Sequence, residues 1–181
     1  LTEFGHDVRV IMPAYQIIKD KFELERIPIT LEVPLREGVI SEATVYRTTL
    51  PNTTVPIYFI EGDGLFDRPE VYGYDDDVYR FAFYSRAAMA FAEAIQWIPD
   101  VIHLNDWQCG LVPAYLNTIY KDYEGFNTFK TLFTIHNLSY QGEFPKSTFK
   151  KTELPKELET GSKSIFHKGK VNFMKSGLMY A

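Results

Sequence analysis

The feature that most constrains this chain is the order of its apolar segments. Strand-like and helix-like runs alternate, and two of the strands end in polar clusters. Asp7 to Pro13 (DVRVIMP) is a β-rich run closed by proline. Asp75, Asp76 and Asp77 then open a long stretch in which Val78, Phe81, Ala82, Ala88, Met89, Ala92 and Ile95 recur with the helical period. Acids at a helix start can cap free amides and complement the positive end of the dipole. Further apolar side chains nearly surround the stripe, so a well-buried helix is predicted. Val101 to Leu104 reads as a short strand, and Asp106 can cap a second helix carrying Leu111, Val112, Tyr115, Leu116 and Ile119 on one side. Phe129 to Ile135 is another strand, and a last helix is expected from about Gly169 to Ala181. Strand, helix, strand, helix, strand predicts an α/β, Rossmann-like domain, its sheet mostly parallel and flanked by helices. Ligands of such sheets bind beyond the carboxyl ends of the strands. The clusters His103-Leu-Asn-Asp106-Trp107 and His136-Asn137 fall there.

The remaining segments fill in the outline. Leu1 to Gly5 reads as the tail of a helix stopped by glycine. Ile29–Val33, Ala43–Thr49 and Val55–Ile60 are strand-like pieces separated by turn residues, which suggests hairpins or edge strands. Glu61 to Gly73 is a loop rich in glycine and acids, and Lys146 to Lys175 is a mixed-charge stretch expected as a solvated loop. With 24 acidic against 19 basic side chains, a net of −5, the chain lacks the basic stripe of a nucleic-acid binder. Its single cysteine, Cys109, allows no intrachain disulfide. No apolar run approaches the roughly 20 residues needed to cross a bilayer, so no membrane partner is expected. Walker or dinucleotide glycine loops, zinc-ligand spacing and a Gly-x-Ser-x-Gly elbow are all missing from the sequence.

Two clusters carry candidate chemistry. In HLNDWQCG an acid beside a tryptophan can bind a sugar, the carboxylate accepting hydroxyl hydrogen bonds while the indole covers the apolar ring face. Equally, Asp106 can simply cap a helix and Trp107 fill core. His103, inside the strand pattern, reads as a satisfied core histidine. In FTIHNLSYQGEFP, His136 and Asn137 lie where a strand yields to a loop, with Tyr140, Gln141 and Gly142 behind them. They fit a general base, a hydroxyl-binding pair or turn residues. Tyr74 either projects toward a ligand or packs on the preceding loop.

At these residues the chain resembles the glycogen synthase and starch synthase family of glycosyltransferases. The collinear matches are FGHDVRVIMP, LFDRPEVYGYDDDVYRFAFYSRAA, PDVIHLNDWQCGLVPAYL, FTIHNLSYQGEFP and KVNFMKSGLMYA, and they span nearly the whole sequence in the family's order. The resemblance implies the N-terminal, acceptor-side half of a GT-B architecture, in which two Rossmann-like domains face a deep cleft. It implies transfer of glucose, with retention, from a nucleotide sugar to the non-reducing end of an α-1,4-glucan. ADP-glucose is favoured over UDP-glucose as donor, and no metal or cofactor is implied. The location it implies is the bacterial cytoplasm or the plastid stroma.

Carried over position by position, the resemblance makes His136 and Asp106 catalytic residues. His136 would lie close to the transferred glucose and help stabilise positive charge at the anomeric carbon. Tyr74, Trp107, Asn137 and Gln108 become substrate-binding residues. The family commonly has histidine where Gln108 stands, and glutamine cannot become cationic. The family's opening strand, its Lys-Thr-Gly-Gly loop and its C-terminal nucleotide-binding domain have no counterpart in residues 1–181. The expectation is therefore a partial N-terminal catalytic domain, inactive alone, whose sheet shows a gap, an exposed edge or a substitute partner where the first strand would sit. A non-catalytic glucan-binding module and a GT-B transferase with another acceptor are the alternative readings.

Overall fold

The computed structural model describes residues 1–35, 39–123, 125–126, 128 and 130–181. Three sheets and a buried helix organise them. The first sheet has the order β1-β4-β3-β2. In it β1 (Val10–Pro13) runs parallel to β4 (Pro56–Gly62), while β3 (Ile40–Thr49) is antiparallel to both β4 and β2 (Glu25–Pro34). A four-residue helix α1 (Gln16–Lys19) links β1 to β2. The expected hairpin pieces are thus present, with β2 as an edge strand. Burial alternates along β3, where Ala43 and Val45 are buried between less buried neighbours.

The second sheet pairs β5 (Val101–Asn105) in parallel with β6 (Lys130–Thr134). Phe129, expected as the first residue of that strand, lies outside the described residues. A small antiparallel sheet joins β7 (Glu143–Phe144), β8 (Phe166–His167) and β9 (Lys170–Asn172) in the order β7-β9-β8. The α/β class with parallel strands is as the sequence predicts, and the two parallel pairs belong to separate sheets. Among the described residues β1 pairs only with β4 and β5 only with β6, so each presents an unpaired edge. On β1 the carbonyl of Ile11 accepts instead from the Tyr84 hydroxyl at 2.8 Å.

Helix α2 (Asp77–Ala94) is the predicted buried helix. It contains no glycine or proline, and Phe81, Phe83 and Phe91 are all buried although they point to different sides. One side packs on β2 and β4 and another on the segment Lys146–Thr152, which explains why apolar residues encircle it. The helix ends with Gln96 left-handed at φ 51, and the Trp97 amide donates back to the Ala92 carbonyl at 3.0 Å.

Several boundaries differ from the sequence reading. Leu1–Gly5 forms a single 3-10 turn (Thr2–Phe4) with Gly5 left-handed as its stop. The second helix is delayed: Trp107–Cys109 is a 3-10 turn, and α3 (Val112–Asn117) begins only beyond Gly110. The last helix, α4 (Phe173–Tyr180), starts at Phe173 because Lys170–Asn172 pairs as β9. There Asn172 caps the helix, its side chain accepting from the Lys175 amide at 2.7 Å. The stretch expected as a solvated loop holds two 3-10 helices, Lys146–Thr152 and Lys156–Leu158, and buries Phe149, Leu154, Leu158 and Ile165. Among the described residues no helix is long and apolar enough to cross a membrane.

Candidate active site at the tips of two parallel strands

Strands β5 and β6 run in register, with Asn105 opposite Thr134, so their carboxyl ends are flush. The next backbone link, from the Asp106 amide to the Thr134 carbonyl at 2.8 Å, carries the pairing one residue further. Asp106 then turns with φ 60 and ψ 177, a conformation that glycine prefers and other residues adopt only under strain. That turn throws its carboxylate across to the neighbouring tip. One oxygen accepts the backbone N–H of His136 at 2.7 Å, and the other sits 2.9 Å from His136 Nδ1. A carboxylate only accepts, so the contact fixes a proton on Nδ1 and turns Nε2 outward. The His136 side chain remains 60% exposed and that of Asp106 32%. The expectation that Asp106 caps a helix is corrected: its side chain makes no cap hydrogen bond and holds His136 instead.

The loop after His136 is pinned from below. The side chain of Asn137 accepts from the Ser139 amide at 3.0 Å, shaping the turn, while the residue itself is exposed. Gln141 Oε1 accepts from Asn172 Nδ2 at 2.9 Å, and the amides of Phe173 and Met174 donate to the carbonyls of Gly142 and Gln141, each at 3.0 Å. Gly142, at φ 63, lies so close to the indole of Trp107 that a Cβ there would approach Cε3 to 2.3 Å. Glycine is needed here both for the backbone angle and for the close approach. Gly110 is equally crowded, since a Cβ would fall 2.1 Å from the Phe173 carbonyl oxygen.

Trp107 itself is 5% exposed, ringed by Tyr72, Phe81, Phe144 and Phe173 with Gly142 against its face. The reading of Trp107 as a sugar-stacking platform is corrected on this ground: no ring face is left for a ligand, and the residue is core beneath the site. Gln108 follows in the 3-10 turn, partly buried. His103, expected in the core, is exposed on the open side of β5, with Nε2 2.8 Å from the Thr134 hydroxyl. Burial pushes the thiol of neighbouring Cys109 up to about 11.

Tyr74, expected to bind substrate, lies partly buried just before α2. Its hydroxyl accepts from the Glu70 amide at 2.9 Å, and its ring lies between the guanidinium groups of Arg68 and Arg80, at 5.0 and 4.9 Å. The hydroxyl is thus engaged by its own loop, and the ring by that loop and by α2. The tyrosine that reaches toward the strand tips is Tyr72, 37% exposed, with ring centroids 5.8 Å from Trp107 and 6.0 Å from Tyr140. Tyr140, 55% exposed, belongs to the His136 loop. Sequence reasoning noted Tyr140 behind His136 and missed Tyr72. Two tyrosines two positions apart around Gly73 gave no local signal for choosing between them.

The acids before α2 do more than open a helix. Asp76 forms a two-toothed pair with Arg68, both contacts at 2.7 Å, and that guanidinium holds the Asp76 carboxyl below its usual range. Asp77 is buried and accepts from the amides of Gly73 and Tyr74 at 2.6 and 3.2 Å.

Comparison with known proteins identifies the family to which this fold and sequence correspond. The family model described as starch synthase catalytic domain matches residues 1–181. The glycogen synthase of Desulforudis audaxviator is 38% identical over 177 residues, covering 97% of this chain and 35% of that protein. The glycogen synthase of Kosmotoga olearia is 40% identical over 182 residues, covering 100% of this chain and 36% of that protein. Among solved structures, the catalytic domain of starch synthase IV from Arabidopsis thaliana, bound to ADP and acarbose, superposes with a TM-score of 0.86 at 25% identity. That match covers 99% of this chain and 37% of the plant chain. The chain thus spans well under half the length of the relatives it matches.

Proposed function

This chain belongs to the starch synthase catalytic domain family, and from that premise we propose that it forms the acceptor-side wall of a glucan-elongating glucosyltransferase. The reaction is transfer of glucose from a nucleotide sugar to the non-reducing end of an α-1,4-glucan, with retention of configuration. The observation that carries this reading is the grip of Asp106 on both the amide and the ring of His136 at flush strand tips. A ring held this way offers Nε2 and the adjacent backbone to a sugar in a fixed direction, which is what stabilising charge at an anomeric carbon requires. The exposed rings of Tyr72 and Tyr140 supply apolar faces suited to a glucan, with the hydroxyls needed at its edges.

The nucleotide half of the donor would be held by a second domain of the same enzyme, outside residues 1–181, so this chain alone is expected to transfer no glucose. ADP-glucose is favoured as donor because the plant relative binds ADP. The relatives named glycogen synthase favour glycogen as product. The test is His136→Ala in the complete synthase. Turnover is expected to fall about 10²-fold or more, with only a small drop in melting temperature, because the mostly exposed side chain gives up one hydrogen bond to Asp106. Near-normal turnover would remove His136 from the reaction.

A further inference from the structure

Arg80 is fully buried on α2, among aromatic rings, and forms an ion pair with buried Asp77. Its Nε donates to the Leu65 carbonyl at 2.5 Å, and one terminal nitrogen reaches the Val71 carbonyl at 3.4 Å. Asp77 accepts from the Gly73 amide at 2.6 Å. The buried pair therefore holds the residue before Tyr72 and the residue after it, while the ring of Tyr72 stands out against Trp107 and Tyr140. Burying an ion pair contributes little net stability compared with apolar packing of the same volume. Its position points to a different use, which is fixing one backbone conformation.

We propose that the Arg80–Asp77 pair is a positioning device that presents the Tyr72 ring to the glucan acceptor. The inference rests on the functional reading above. Arg80 touches no substrate and acts only through the loop. A guanidinium suits the task because its planar fork reaches the Asp77 carboxylate and two loop carbonyls at once, which an ammonium on a flexible stem cannot do. Gly73 completes the turn with φ 106 and open space where a Cβ would project.

The experiment is a double-mutant cycle in the complete synthase, with KM for a maltooligosaccharide acceptor, KM for the nucleotide sugar and kcat all measured. Tyr72→Ala and Arg80→Lys are each expected to raise the acceptor KM about tenfold, with kcat and donor KM changed less than about twofold. Combined, they should raise it no further than Tyr72→Ala alone, because both remove the same ring from the same place. A general loss of structure would instead shift all three constants together and add in the double variant, and that result would overturn the proposal. Gly73→Ala guards against failure of Arg80→Lys to fold, since it strains the exposed turn without touching the core. It should reproduce the rise in acceptor KM, and a wild-type value there would equally refute the idea. An inactive wild-type synthase sinks the functional reading itself. An active one that responds to Tyr72→Ala and ignores both Arg80→Lys and Gly73→Ala sinks only the positioning role.

Discussion

Replacing Asp106 by Asn tests the hinge of the site with almost no change in shape. The native carboxylate accepts twice from His136, at 2.7 Å from the amide and 2.9 Å from Nδ1. Asparagine keeps one carbonyl oxygen for the amide and turns an N–H₂ toward the ring. A donor would then face a donor, so the proton must leave Nδ1 for Nε2, or the ring must rotate away. The side chain is only part-buried, so losing one charge-assisted hydrogen bond should cost about 1–2 kcal/mol of stability. The functional loss should be far larger, about 10²-fold or more in kcat of the complete synthase, because the face offered to the sugar is inverted. The direct assay is nitrogen NMR of ¹⁵N-histidine-labelled chain at about pH 8, where an ordinary imidazole is neutral, with His136 identified by its loss in His136→Gln. Wild type should show the Nδ1–H form and Asp106→Asn the Nε2–H form. The same tautomer in both proteins, with undiminished turnover, would refute the claim that Asp106 sets the orientation of His136.

Gly142→Ala should destabilise the chain by about 2–4 kcal/mol, because a methyl group would meet the Trp107 indole at a left-handed backbone position. Gly64→Ala is the matched control, since Gly64 has φ 64 and nothing within 4 Å, and should cost only about 1 kcal/mol; equal losses in thermal or urea melts would contradict the packing argument. Cys109, partly exposed with its thiol pushed up to about 11, should be alkylated slowly by iodoacetamide at about pH 8 and much faster on unfolding. Since its proton is held more tightly in the folded state, its contribution to stability is present below the ordinary thiol range and lost as pH rises toward about 11. Rapid native labelling would show that the thiol is not desolvated.

The parts of this molecule that were legible in its sequence are those where one local pattern has one physical outcome. The encircling apolar residues of 77–94 admit only a buried helix, and polar residues directly after β5 and β6 must emerge at strand tips. That was enough to bring Asp106 and His136 together, although thirty residues separate them. What stayed hidden was which partner each polar or aromatic group takes. Asp106 and Asp77 both looked like helix caps, yet one holds a histidine from another strand and the other an arginine one turn along. Trp107 looked like a sugar platform because its neighbour is one side of the site. Its burial depends on Gly142, a residue whose missing side chain lets the indole fit beneath the loop. Tyr72 and Tyr74 flank the same glycine, and the Arg80–Asp77 pair contacts the backbone on both sides of Tyr72 as well as the Tyr74 ring. The surface at the strand tips is therefore backed by buried charges and by a glycine whose missing methyl group lets the indole in.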